Sequence, residues 1–105
     1  MTYEPSDLVK EGARKINYLA EELTNGRGAF ENADNAVRVF KYLQQISEHM
    51  PLLLSRASSV LEQTARNPEH AAEAARCVGE AVTSATTLAA HLEKAQQAAR
   101  DARRT

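Results

Sequence analysis

Between Ala36 and Thr64 apolar residues recur in alternating steps of four and three, and the run passes through Pro51 without a change of phase. One row reads Ala36, Phe40, Leu43, Ser47, Met50, Leu54, Ala57, Leu61 and Thr64; a second, beside it, reads Val39, Leu43, Ile46, Met50, Leu53, Ala57, Val60 and Thr64. That spacing holds side chains on one side of an α-helix, and two adjacent rows make a broad apolar face instead of a narrow coiled-coil seam. Pro51 removes one backbone hydrogen bond, crowds the carbonyl of Ser47 and biases Met50 away from helix. A loop at Pro51 would reset the phase, so the pattern predicts one helix over 33–66, kinked near Pro51. The alternative is a split, with Pro51 opening a helix of its own.

The segments on either side obey the same logic. Ser6 or Asp7 is suited to cap a first helix just after Pro5, and Leu8, Val9, Ala13, Ile16, Leu19, Ala20 and Leu23 recur on one stripe behind it. Asn25 or Gly26 suits the left-handed position that ends such a helix, which places helix 1 at about 6–24. Gly12 inside it weakens the helix relative to Ala and leaves room for another backbone to come close. Asn25 to Asn32 is the one loop of any length, in which Phe30 is expected to dock back as an anchor, and Asn32 or Asp34 is suited to cap the second helix. Asn67-Pro68-Glu69 combines a capping side chain, proline at the first helical position and an acid at the positive end of the dipole. Helix 3 is expected over 68–103, again with two rows: Ala71, Ala75, Val78, Val82, Ala85, Ala89, Leu92, Gln96, Ala99, and Ala74, Val78, Ala81, Ala85, Leu88, Leu92, Ala95, Ala99, Ala102.

These readings predict an all-α protein in a single domain over 1–105: a long αα-hairpin plus a shorter N-terminal helix. That is a three-helix bundle, or four helices if Pro51 breaks the second. Helices 2 and 3 would be roughly 50 Å long and helix 1 under 30 Å. Helix 1 then covers about half of the groove between the other two, while the apolar rows run their full length. Large apolar patches usually mark an interface, so the bundle is expected to be completed by a second copy. With a nearly absent link at Asn67, residues of helices 2 and 3 meet where their numbers sum to about 134. Ala81 and Ala85 are both expected in the seam, where small residues on helix 3 face large ones on helix 2.

Composition supports this frame. Of 105 residues 43% are hydrophobic, but aromatics are only 5% and tryptophan is absent, so a single-copy core is lean and self-association is one remedy. A formal charge of −1 supplies no electrostatic reason for nucleic acid or anionic lipid as a partner. One cysteine makes no internal disulfide, the N-terminus has no signal-peptide pattern, and no apolar run nears the ~20 residues of a membrane span. A cytoplasmic protein is expected.

Chemistry-bearing residues are few and scattered. His49, His70 and His91 form no His-x-x-His, Glu-x-x-His or His-x-x-x-His pair, so no metal site of sequence-local ligands is expected. His49 is placed two turns from His91. Cys77, with Glu73 and Glu80 at helical spacing and Arg76 diverging, reads as a small buried residue and not as an activated thiol. Asn25-Gly26-Arg27-Gly28-Ala29-Phe30 lacks both the lysine and the preceding strand of a phosphate loop. No catalytic residues, cofactor or metal are expected. The leading expectation is a non-catalytic interaction module (adaptor, assembly factor or regulator) that pairs with itself and with another protein. Its surface is carried by Phe40, Leu43, Met50, Leu54, Leu61, Val78, Val82, Leu88 and Leu92. The rivals are a nucleic-acid accessory protein using Arg100, Arg103 and Arg104, and a small-molecule sensor with an interhelical pocket near Pro51.

Overall fold

The structure, a computed structural model, describes residues 4–27 and 32–103, of Arg103 the backbone alone. Phe30 and Arg104 lie outside the described residues. Within them the chain is all-α, with three helices and no strand: α1 (Pro5–Thr24), α2 (Ala33–Thr64) and α3 (Pro68–Arg103). They fall into two compact units, Met1–Glu31 with α1 and Asn32–Thr105 with α2 and α3.

In the first unit α1 starts at Pro5, ahead of both expected caps, Ser6 and Asp7. Glu4 takes the cap position in an extended conformation, its side chain accepting from no backbone N–H of the helix. Proline at the first helical position supplies the fixed φ and has no N–H there to leave unpaired, and Ser6 lies inside the helix, its hydroxyl donating to Glu4 Oε1 at 2.9 Å. The other end closes with full chemistry. Gly26 adopts φ 75°, its N–H donates to Leu23 O at 3.2 Å, and Arg27 N–H reaches back to Glu22 O at 2.9 Å. Arg27 Nε also donates to Glu22 Oε2 at 3.0 Å, tying the turn to the last helical residues. A Cβ placed on Gly12 would meet no atom within 4 Å, so the close approach expected there is not seen.

In the second unit the caps are those the residue types favour. Asn32 Oδ1 accepts from Asn35 N–H at 3.0 Å, and Asn67 Oδ1 accepts from both Glu69 N–H (3.0 Å) and His70 N–H (3.2 Å). α2 ends at Thr64, two residues short of the expected 66, because Ala65 turns extended (ψ 138°) to deliver Asn67 to its capping position. Pro51 lies inside α2 and does not break it; helix continues on both sides. One turn earlier Ser47 is 2% exposed, and its hydroxyl donates to Leu43 O at 2.9 Å. Proline has no N–H to offer the Ser47 carbonyl, and this back-bonded serine occupies the turn where the ladder is interrupted.

α2 and α3 fold back on one another across the three residues that link them, and Gln96 Nε2 donates to Gln44 Oε1 near the far end. The covered row on α3 is Ala71, Ala75, Val78, Val82, Ala85, Ala89, Leu92, Gln96 and Ala99, all buried or half-buried, with Ala85 the deepest at 4% exposed. Ala81, expected beside it, is exposed, since it precedes Val82 by one residue and so sits about 100° around the helix.

On α2 the covered row differs from both expected rows. It is Val37, Phe40, Gln44, Ser47, Pro51, Leu54, Ser58 and Ala65, all buried or half-buried, with Leu61 in the same series but 45% exposed. The second expected row lies one residue back throughout. There Val39 is half-buried, and Leu43 (37%), Ile46 (47%), Met50 (36%), Leu53 (56%), Ala57 and Val60 (58%) are exposed. Slender or small residues at Gln44, Ser47 and Ser58 on α2 meet an alanine-rich α3, so the two backbones approach on the small side and leave the large one out.

Candidate interaction face

The residues expected to carry an interface divide along the same line. Phe40, Leu54, Val78, Val82 and Leu92 belong to the seam that joins α2 to α3. Leu43, Met50, Leu61 and Leu88 (48%) are exposed. A move of one residue back from the covered row turns about 100° around each helix, and because the helices run antiparallel the two turns lead to the same side of the hairpin. The bare row of α2 therefore shares a face with the residues one back on α3, of which Cys77, Ala81, Ser84, Leu88, His91, Ala98 and Ala102 are exposed and Ala74 and Ala95 half-buried. Tyr42 (55%) borders it on the outer edge of α2, whereas Leu52 (56%), one residue beyond the covered Pro51, is turned to the opposite side of the hairpin.

Gln44 and Gln96 have numbers that sum to 140, above the expected register. Helical side chains lean toward their own N-termini, so the backbones are level at a lower sum; at about 136 the covered rows align rung for rung, Ser47 with Ala89 and Leu54 with Val82. The small correction arises because a pair of covered heptad rows meets only at sums seven apart, and the link alone does not select among them.

The titratable groups do not assemble. His49, His70 and His91 are all exposed, and in that register His49 is about one turn from the level of His91, closer than expected. Among the described residues no three of His, Cys, Asp and Glu gather as metal ligands would.

Cys77 is exposed, not buried as expected. One residue back from Val78, it lies on the side of α3 that shares a face with the bare row of α2, and its Sγ lies 3.9 Å from Glu73 Oε1 and from Arg76 Nη2. Arg76 curls back over it, donating to Glu73 and, through Nη1, to Glu80 Oε1 at 2.8 Å. The Arg76 guanidinium holds the Glu73 carboxyl below the usual carboxylate range, and Glu73 in turn pushes Arg76 up. All of these groups are solvated, which makes them a charged helix surface.

The depression bordered by Glu11, Arg14, Lys15, Asn17, Tyr18 and Glu21 lies on α1 alone, not beside Pro51, and is open. Of the three C-terminal arginines, Arg100 donates to Gln96 Oε1 at 3.3 Å, Arg103 closes α3, and Arg104 is outside the described residues. No described helix is long and apolar enough to cross a membrane. What sequence reasoning missed is the assignment of rows: it treated both rows of α2 as one face. The signal was present in the polar members Gln44, Ser47 and Ser58, which complete a third series one residue out of step. No known protein family matches the chain, and neither a curated protein nor a solved structure does.

Proposed function

We propose that this chain is a non-catalytic helical protein-interaction module that acts as a homodimer, with the bare row of α2 as its contact surface. One observation supports the reading above the others. The row packed against α3 contains Gln44, Ser47, Pro51 and Ser58, whereas the row left exposed, Leu43 to Val60, is apolar throughout. A hairpin meant to stand alone would gain by burying the richer row, at roughly 25 cal/mol per Å² of apolar surface. An exposed apolar face of this length fits a partner surface better than solvent. An adaptor, assembly factor or regulator works through such a face, and the same face is available to a second protein. A reducing, cytoplasmic setting agrees with a single thiol left exposed at Cys77.

Sedimentation equilibrium of the full chain tests this. A dimer is expected at micromolar concentration, and Leu43→Glu with Leu53→Glu is expected to raise its dissociation constant by more than ~100-fold by burying two carboxylates per copy. A parent that remains monomeric, or a double variant that pairs as well as the parent, counts against it.

A further inference from the structure

The hairpin is not the only part of the chain with an uncovered apolar side. Every described residue of the first unit is exposed except Glu22, which is half-buried. Along α1, Val9, Gly12, Ile16, Leu19 and Leu23 fall within an arc of about 80° around the helix. Ala13 and Ala20 flank that stripe on one edge, and Leu8, Lys15 and Glu22 flank it on the other. The remaining residues from Ser6 to Thr24 all carry polar groups and lie further round. A helix of 20 residues in water draws most of its stability from packing its apolar side, so this stripe calls for a cover.

The charges on the stripe's edge indicate which cover fits. Lys15 and Glu22 are of opposite sign and stand seven residues apart on the same edge. Glu22 accepts from Arg27 Nε at 3.0 Å, whereas Lys15 has no ion pair among the described residues. Glu11, further from the stripe, is paired with Arg14 of its own helix at 3.8 Å.

We infer that α1 pairs with α1 of a second copy, the two helices antiparallel and level where their residue numbers sum to about 35. This register sets Ile16 against Leu19 of the other copy and Gly12 against Leu23, each twice by the two-fold. Leu23 enters the space beside Gly12, where an added Cβ would meet nothing within 4 Å. A parallel pair would set glycine on glycine and leave a hole in the middle of the contact. On the charged edge Lys15 of each copy comes beside Glu22 of the other, while Ala13 meets Ala20 on the opposite edge. The stripe next realigns after a slip of seven residues. One such slip sets Lys15 against Lys15, and the other sets Glu22 against Glu22. The stripe therefore carries the complement of its own charge at the one spacing that also fills its glycine gap. This contact goes beyond the one proposed for the bare row of α2 and gives each chain a second surface for a copy of itself. Its overlap, Glu11 to Thr24, is only about 20 Å long, so it is weaker than an interface of standard size.

The experiment is disulfide trapping in the full chain carrying Cys77→Ser, with Gly12→Cys and Leu23→Cys as two separate variants. Covalent capture registers a pairing too weak to be seen by sedimentation. Each variant alone is expected to stay unlinked under mild oxidation, because the matching cysteine lies roughly 16 Å away along the antiparallel helix. Mixed in equal amounts, the two are expected to give a covalent dimer of one chain of each kind, at ~10-fold or more the yield of either alone. Circular dichroism checks that both variants keep the parent's helicity. Variants that link to themselves as readily as in the mixture place the helices parallel and overturn the inference. A mixture that links no more than its components overturns it as well, and a parent that still sediments as a dimer then leaves the reading of the α2 row standing. If the mixture links while Leu43→Glu with Leu53→Glu pairs as well as the parent, the contact on α1 stands and the one on α2 falls.

Discussion

The two apolar rows of α2 are one residue apart along the chain, yet they differ in composition and in fate. The covered row mixes Val37, Phe40 and Leu54 with Gln44, Ser47, Pro51 and Ser58, and it is the row that α3 seals. The bare row holds Leu43, Ile46, Met50, Leu53 and Val60 and remains in contact with solvent. Hydrophobicity alone would have chosen the other arrangement. What selects the covered row is steric. An αα-hairpin with a three-residue link brings its backbones close, and small or slender side chains on α2 admit the alanines of α3. The richer row is thereby held in reserve on the outside. The row that makes the fold need not be the more apolar one, even on one helix.

The sharpest way to break this comparison is to truncate neighbouring leucines, one from each row. Leu54 is half-buried against α3, so Leu54→Ala is expected to lower the stability of the hairpin by about 2 to 3 kcal/mol, equally at all protein concentrations. Leu53→Ala removes a side chain that is 56% exposed, so its cost within one copy is expected to be about 0.5 kcal/mol. Its remaining effect should grow with protein concentration, because it acts through the dimer. Urea denaturation at two concentrations tenfold or more apart separates the cases. Equal behaviour of the two variants would erase the distinction between rows.

A second test uses alanines on α3. Ala85 is 4% exposed in the seam, and Ala85→Leu is expected to overpack it at a cost of about 1 to 2 kcal/mol, lowering the melting temperature. Ala81, one step off the seam, is exposed, so Ala81→Leu should leave the melting of the hairpin itself nearly unchanged while disturbing self-association. If Ala81→Leu destabilises dilute protein as much as Ala85→Leu does, the two rows of α3 are both buried in a single copy.

Much of the fold was legible because it rests on short-range chemistry. Asn32 and Asn67 cap where their side chains predict, and Gly26 supplies the left-handed turn that ends α1. The unbroken phase across Pro51 marked α2 as continuous, since the spacing of a dozen side chains outweighs one lost backbone bond. On α3 one of the two expected rows is the covered one, while the other includes Ala81, Leu88 and Ala102, which are exposed. On α2 the same reasoning misplaced the seam. Apolar periodicity locates the oily side of a helix, but which of two adjacent rows meets a neighbour depends on how closely that neighbour approaches, and this is a property of the pair. Cys77 went astray for a similar reason: its side of α3 is apolar enough to suggest burial, yet no second element of its hairpin reaches it. The face formed by the bare rows was visible only once α2 and α3 had been set antiparallel.

Gln44 and Gln96 offer the finest probe, because they are the polar link in the row that the seam covers. Gln96 is 5% exposed and donates to Gln44, which is half-buried. Gln96→Leu would leave Gln44 Oε1 without its donor, while Gln44 Nε2 keeps its bond to Glu48 Oε1, so a destabilisation of about 1 kcal/mol is expected. Gln44→Leu with Gln96→Leu removes both polar groups and should restore or exceed the parent's stability. The double variant should also lose something that stability does not measure. A polar pair at one level of an apolar seam penalises every register in which the two glutamines do not meet, whereas two leucines pack acceptably at several. Amide exchange along α2 should therefore become faster and less uniform in the double variant, although it melts no lower. A double variant that is less stable than either single change would mean the pair contributes by packing alone, and the seam would then depend on side-chain fit and not on the glutamines for its register.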